Sequence, residues 1–223
     1  MTDLSPRPRA FRLAGLVFDL RATVALVATT LLLTIERYHN LIPASDSLQA
    51  VRGTAYDGTV FYLLIPLVII RFGLGESPRA YGLTLGDWRL GLKLTLLVVG
   101  AVLPLVAVAA RTPAMQAYYA GDGGRWQELL PPIAVALVGW EFLFRGFLLF
   151  SLVALMGPTA IIVQAVPFAL AHLGKPEIET ITTIVGGSLF GWVAWRTRSF
   201  LYPYLIHLSI YALTVVLATA FPI

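Results

Sequence analysis

Apolar runs of membrane-crossing length recur along this chain, and short polar segments separate them. A transmembrane helix needs roughly 20 mostly apolar residues to cross a hydrocarbon core of about 30 Å, because its backbone polar groups must bond internally there. The pattern predicts helical spans at residues 12–35, 57–73, 90–110, 131–155, 157–172, 179–197 and 200–221. The predicted fold is therefore all-α, a polytopic membrane bundle of about seven helices within a range of about six to eight.

The composition agrees with this pattern. The chain has 223 residues, of which 58% are hydrophobic and 13% are charged, whereas soluble domains are about half apolar and about a quarter charged. Because the apolar character extends along the whole length, residues 1–223 are predicted to form a single membrane domain. The sequence contains no cysteine, which excludes disulfides, thiolate metal sites and a cysteine nucleophile.

The net charge of +4 comes from cations scattered between apolar segments. This distribution suits contact with lipid headgroups, and it lacks the contiguous basic face that nucleic-acid binding would need. A cytoplasmic N-terminus would put nine cations on the inner side and five outside, which favours that orientation by the positive-inside rule. The inner nine are Arg7, Arg9, Arg12, Arg71, Arg79, Arg89, Lys93, Arg196 and Arg198, and the outer five are Arg37, Arg52, Arg111, Arg125 and Lys175.

Ionisable side chains inside the predicted spans are the candidates for function, since each costs roughly 2.5–3.5 kcal/mol to insert. Asp19 and Arg21 in the first span suit snorkelling or a structural pair with another helix. Glu141 and Arg145 in the fourth span are spaced i, i+4, which puts them on one helical face within pairing reach. They are interpreted either as a structural ion pair or as a general base with its counter-ion.

Two histidines extend this set. His172 closes the fifth span, a position typical of an interfacial cap. His207 lies inside the seventh span without polar neighbours in sequence, so we expect its partner on another helix. Glu141 and His207 are predicted at similar depth near the bilayer midplane. The trio Glu141, His172 and His207 could hold a zinc ion with an open position for water, or could activate water directly. Both interpretations indicate hydrolysis, and the spacing does not choose between them.

Three motifs, taken in their order along the chain, resemble the motifs of a known family. They are Glu141 followed by x-x-x-Arg145-Gly-Phe-Leu-Leu, then Phe168-x-x-x-His172, then His207 in the last span. The chain resembles the CPBP family of intramembrane proteases, also called the CAAX protease and bacteriocin-processing or ABI family. The resemblance covers roughly residues 80–212, so residues 1–79 are predicted to be additional N-terminal transmembrane helices.

The resemblance implies proteolysis of a membrane-anchored protein or peptide within the lipid bilayer, by water that a Glu and a His activate. It implies that no cofactor is required, or that a divalent metal such as zinc is bound by Glu141, His172 and His207. The expected location is a prokaryotic cytoplasmic (inner) membrane.

Two positions depart from the family pattern. Trp140 stands where the first Glu of the Glu-Glu-x-x-x-Arg motif is expected, and Tyr211 stands at the Asn position of the last motif. Glu141 could take over the base role, Glu179 could supply the missing carboxylate across the turn after His172, or activity could be lost. The Tyr211 hydroxyl could donate in place of the amide.

Three other functions compete with proteolysis of this type. A catalytically inactive scaffold or immunity-type protein of the same fold would use the polar residues to hold helices together. A serine-type protease would pair Ser188 with His207. A transporter is the third, although no two-fold repeat of broken helices is visible.

Overall fold

We describe the fold from a computed structural model, which covers residues 9–43, 47–119 and 126–220. Helices dominate this part of the chain. The α-helices are α1 (Leu20–Tyr38), α2 (Ser47–Asp57), α3 (Ile65–Val68), α4 (Trp88–Ala109), α5 (Pro113–Tyr119), α6 (Trp126–Glu141), α7 (Leu149–Met156), α8 (Ala160–Val163), α9 (Ala165–Leu170), α10 (Glu177–Thr197) and α11 (Leu201–Ala220). Three π-helical segments, Gly58–Leu64, Ile69–Gly73 and Phe142–Leu148, continue neighbouring helices, and 3₁₀ turns occupy Pro78–Tyr81 and Gly157–Thr159.

The predicted helix start at residue 12 is wrong. Residues 10–19 instead form an antiparallel hairpin of β1 (Ala10–Leu13) and β2 (Leu16–Asp19). Its turn at Ala14 and Gly15 has positive φ at both residues, which fits a tight hairpin turn. Asp19 then caps α1 by accepting a hydrogen bond from the Ala22 amide at 2.9 Å, so the helix begins at Leu20.

Membrane-spanning capacity is clearest in four helical stretches of the described chain, judged by length and apolar composition. These are Gln49–Gly73, Trp88–Ala109, Gln127–Leu170 and Leu201–Ala220. The helices α1 and α10 have 19 and 21 residues, long enough for a span, but both carry charged residues near their ends. The all-α membrane bundle is confirmed, and the number of seven spans stays a prediction.

The predicted fifth span, residues 157–172, is not one continuous helix. It consists of a 3₁₀ turn, α8 and α9, with a break at Gln164 between the two α-helices. Together α8 and α9 rise only about 16 Å at 1.5 Å per residue. Because this segment is short, His172 at its end lies inside the bundle, where it is 4% exposed.

The centre of the bundle is the continuous helix formed by α6, the π segment Phe142–Leu148 and α7. Every side chain from Phe142 to Leu149 is buried. α11 packs against α4 and α6, α10 packs against α8, α9 and the π segment, and α1 packs against α7. The segment between residues 82 and 87 holds the α10–α11 turn in place, since the Asp87 amide bonds Thr197 O at 2.9 Å and Ser199 Oγ bonds Thr84 O at 2.5 Å. α10 and α11 therefore face the middle of the central helix at a fixed height.

Candidate active site

Glu141 is the last residue of α6, immediately before the π-helical segment. π-Helical insertions inside α-helices often occur at functional sites. Glu141 and Arg145 are both fully buried, and Arg145 Nη1 lies 3.2 Å from Glu141 Oε1. The ion pair that the i, i+4 spacing predicts is therefore present in the core of the bundle.

His207 joins this pair from α11. Its Nδ1 lies 2.6 Å from the same oxygen, Glu141 Oε1, and its side chain is 14% exposed. An ionised carboxylate only accepts hydrogen bonds, so we assign the shared hydrogen to Nδ1, which leaves Nε2 with a lone pair. The second oxygen, Glu141 Oε2, has no hydrogen-bond partner within the described chain. The group thus combines an oriented imidazole with an unsatisfied buried carboxylate oxygen.

Arg145 is held on its other side by aromatic rings and by α10. Its guanidinium carbon lies 3.7 Å from the centre of the Phe168 ring and 5.2 Å from that of Phe190. Nη2 reaches the Gly187 carbonyl oxygen at 3.4 Å. Cation–π contact strengthens when the cation is removed from water, so these rings help to keep a buried positive charge beside Glu141.

His172 lies near this group without bonding to Glu141. Its Nδ1 is 2.8 Å from the Phe168 carbonyl oxygen. A carbonyl can only accept, so Nδ1 carries the hydrogen and Nε2 of the neutral ring is an acceptor. The Phe168 ring contacts both imidazoles, with centroids 4.6 Å from His172 and 6.0 Å from His207.

Trp140 fills the space beside His172. Its ring centroid lies 6.0 Å from that of His172, 5.5 Å from Tyr62, 5.2 Å from Phe144 and 6.1 Å from Phe168. The residue at the position of the motif's first Glu is thus an aromatic wall of the site. Its indole Nε1 is buried and has no hydrogen-bond partner in the described part of the molecule.

Glu179 does not turn towards Glu141. Its Oε1 accepts a hydrogen bond from Lys175 Nζ at 2.7 Å and its Oε2 accepts one from the Tyr119 hydroxyl at 2.6 Å. Tyr211, one turn after His207 on α11, lies with its ring 6.0 Å from that of Tyr119. Burial, with the adjacent Glu179 carboxylate, raises the pKa of Tyr119, so the phenol remains a donor. Both Glu179 oxygens are occupied by this peripheral cluster.

Two further expectations concern a zinc site and a pairing of Ser188 with His207. Among the described residues, no three His, Asp or Glu side chains are grouped as metal ligands. The zinc interpretation stays a prediction, and we derive no step through a metal. Ser188 is half-buried and donates to Ile184 O at 2.7 Å in its own helix, which does not support its pairing with His207.

Sequence reasoning missed two residues of the site region. Tyr119 lies between the predicted spans 90–110 and 131–155, and nothing in its sequence pattern singles it out. Gln164 is fully buried and bonds Gly187 O at 2.8 Å. The sequence does mark Gln164 as a candidate, because it is a lone amide inside the apolar run 160–171.

A comparison with protein families found a match over part of the chain. Residues 124–213 match the family described as Type II CAAX prenyl endopeptidase Rce1-like. Comparisons with curated proteins and with solved structures found no match. The matched range contains Glu141, Arg145, Phe168, His172 and His207. Residues 124–213 are therefore similar to the Rce1-like CAAX proteases, and this match supports the resemblance to the CPBP intramembrane protease family that the sequence motifs indicated.

Proposed function

We propose that this protein is an intramembrane endopeptidase in which Glu141 and His207 activate water against a peptide bond. The observation that carries the proposal is the 2.6 Å contact between Glu141 Oε1 and His207 Nδ1 in the core of the bundle. A carboxylate that fixes an imidazole through Nδ1 leaves Nε2 free to take a proton, which is the arrangement that general-base catalysis needs.

The reaction follows from the proton positions. His207 Nε2 accepts a proton from water as its oxygen attacks the scissile carbonyl carbon, giving a tetrahedral oxyanion. The protonated imidazole then returns that proton to the leaving nitrogen as the carbon–nitrogen bond breaks. Glu141 stabilises the imidazolium, and Arg145 Nη1, 3.2 Å from Glu141 Oε1, holds the carboxylate in place. The Trp140 indole N–H, which is buried without a hydrogen-bond partner in the described chain, is the proposed donor to the oxyanion.

The substrate class comes from the family description, which names a CAAX prenyl endopeptidase. We propose a membrane-anchored peptide as substrate, and a prenylated CAAX peptide is the first compound to assay. The apolar bundle would hold the lipid-modified end, while the polar group at Glu141 meets the peptide backbone.

The test is cleavage of a prenylated CAAX peptide by the purified protein in phosphatidylcholine vesicles. We expect the wild type to release the C-terminal fragment, and His207→Ala to lose about 10³-fold in rate. The matched control is Ser209→Ala, which removes a hydroxyl bonded only to Leu205 O in the same helix. Addition of a chelator should leave the rate unchanged. Equal rates for wild type and His207→Ala would refute the proposal.

A second candidate, a catalytically inactive scaffold, is favoured by Trp140, whose ring packs against His172. In that case the wild type would not cleave, and Trp140→Glu, which restores the motif's carboxylate, would create activity. Trp192→Glu is the control for an added carboxylate elsewhere in the bundle. Cleavage by the wild type that Trp140→Glu does not increase would exclude the scaffold.

We also propose that the N-terminus is cytoplasmic in a prokaryotic inner membrane. The natural chain has no cysteine, so single cysteines report position cleanly. Leu85 and Leu173 are similarly exposed, at 66% and 64%, on opposite ends of the bundle. In intact cells, Leu173→Cys should react with an impermeant thiol reagent and Leu85→Cys should not; the reverse would invert the orientation.

A further inference from the structure

Gln164 is a fully buried amide at the break between α8 and α9. A polar side chain in such a position is costly unless it is hydrogen-bonded. Its Nε2 lies 2.8 Å from Ile161 O and 2.8 Å from Gly187 O. Both partners are carbonyls that only accept, so the amide orientation is fixed with the NH₂ group towards them.

Gly187 O is also the acceptor for Arg145. The Gln164 amide and Arg145 Nη2, at 3.4 Å, both donate to this one oxygen. Arg145 in turn contacts Glu141 Oε1, which contacts His207. A continuous series of polar contacts therefore runs from Gln164 on the α8–α9 break to the imidazole on α11.

Two glycines of α10, Gly187 and Gly191, leave the space that the side chains of Arg145 and Gln164 occupy. A methyl group at Gly187 would come within 2.8 Å of Phe168 Cδ1 and 3.4 Å of Arg145 Nη2, and one at Gly191 would come within 2.5 Å of Gln164 Nε2. Since 2.5 Å is closer than carbon and nitrogen can approach, a side chain at Gly191 would push the amide aside. The spacing of small residues in α10 thus serves the polar series as well as helix packing.

We propose that Gln164 is a positioning residue for the Glu141–His207 pair. By holding Gly187 O, it fixes the acceptor that anchors Arg145, and Arg145 sets where Glu141 Oε1 meets His207. The expected effect of Gln164 on catalysis rests on the proposed function. Its structural consequence, the geometry of the Nδ1–H bond of His207, is independent of any activity.

The experiment measures the His207 ring by NMR in ¹⁵N-histidine-labelled protein in detergent, where three histidines give a simple spectrum. His207→Ala assigns the signal. We expect the Nδ1–H resonance of His207 to shift or broaden in Gln164→Met and, independently, in Gly191→Ala. In the cleavage assay, both variants should lose about tenfold to a hundredfold in kcat with KM little changed, because a small displacement of the base impairs chemistry more than binding.

The control is Thr214→Val, which removes a buried hydroxyl bonded to Ile210 O in α11 and should leave both readouts unchanged. If Gln164→Met does not fold, Gly191→Ala carries the test, because it keeps Gln164 in the sequence and moves its amide away from Gly187 O. An unaltered His207 resonance in a folded variant would overturn the positioning role. A wild type without peptidase activity would refute the proposed function, whereas the NMR result would still decide the role of Gln164.

Discussion

The described chain contains a half-buried carboxylate–arginine pair, Glu76–Arg21, and a fully buried one, Glu141–Arg145, and the two differ in how many hydrogen bonds the carboxylate oxygens make. Glu76 bonds Arg21 Nε through Oε1 at 2.7 Å and the Tyr81 hydroxyl through Oε2 at 2.8 Å. Glu141 instead uses one oxygen for both Arg145 and His207, and its other oxygen has no partner in the described chain.

This difference in hydrogen bonding indicates that the two pairs have different roles. A buried polar group with all its bonds made rigidifies the fold, whereas an unsatisfied buried group in a native structure calls for an explanation. The Glu76 pair ties the start of α1 to the turn at Pro78–Tyr81. The Glu141 pair holds an oriented imidazole and a free carboxylate oxygen, as a reaction site would. Breaking each pair separately should therefore affect different properties.

The largest expected effect is on catalysis. Glu141→Gln should lower the rate of peptide cleavage by about 10³-fold or more, because an amide neither stabilises the imidazolium nor keeps His207 oriented as a base. The matched variant Glu76→Gln removes a half-buried carboxylate outside the site and should leave the rate within about threefold. Both are measured with the prenylated peptide in vesicles. Equal losses in the two variants would show that the two pairs have the same kind of role.

The next effect is on stability. Arg21→Met should lower the free energy of unfolding by about 2 to 3 kcal/mol, because it removes the charged hydrogen-bond partner of the half-buried Glu76 carboxylate. Denaturant titration in detergent measures this, with Arg12→Met as the control because Arg12 is exposed. A change below about 1 kcal/mol would mean that the Glu76 pair does not hold the hairpin and α1 to the bundle.

A smaller, pH-dependent effect is expected at Tyr81. Its burial, together with the bond to Glu76, raises the pKa of the phenol above its ordinary 10.0. Ionisation then favours the unfolded chain, so this contribution is complete below about pH 10 and is lost as the pH rises towards the folded pKa. Tyr81→Phe should cost about 1 to 3 kcal/mol at pH 7, and its difference from wild type should shrink above pH 10.

The control for this prediction is Tyr56→Phe, since Tyr56 is 58% exposed. Unfolding of wild type and both variants at pH 7 to 11 provides the measurement. A constant difference between wild type and Tyr81→Phe across this range would contradict the assignment of the pH dependence to Tyr81.

The smallest effect is expected at Glu179. Its side chain and that of Lys175 are 20% and 28% exposed, and such partly exposed pairs contribute at most about 1 kcal/mol. Glu179→Gln should change the cleavage rate by less than about threefold, as should Glu177→Gln on the exposed face of the same helix turn. A hundredfold loss in Glu179→Gln alone would show that Glu179 supplies the carboxylate that Trp140 displaces.

Much of the candidate site could be predicted from the sequence. The i, i+4 spacing of Glu141 and Arg145 fixed their contact, and His207 in an apolar span required a partner from another helix, which proved to be Glu141. The sharing of one carboxylate oxygen depends on how α11 and the π segment pack, and no single-helix pattern contains that information. The bonds of Glu179 to Tyr119 and Lys175 also depend on the fold of α5.

The hairpin at residues 10–19 shows a second limit. Its residues are as apolar as a membrane span, so hydropathy extended the first helix through them. The decisive signals were the Ala14-Gly15 turn, the stacked Phe11 and Phe18 rings on paired strands, and the Asp19 cap. These are properties of pairs and turns, which hydropathy averaged over a window does not resolve.

The central claim is that the Glu141–His207 pair activates water for peptide cleavage. The most direct test is mass spectrometry of the products formed from the prenylated CAAX peptide in H₂¹⁸O by the wild-type protein and by Glu141→Gln. We predict that the wild type places a single ¹⁸O atom in the new carboxylate at the cleaved bond, and that Glu141→Gln yields almost no product. A folded wild-type protein that forms no labelled product, or a Glu141→Gln variant that forms it at the wild-type rate, would contradict the claim.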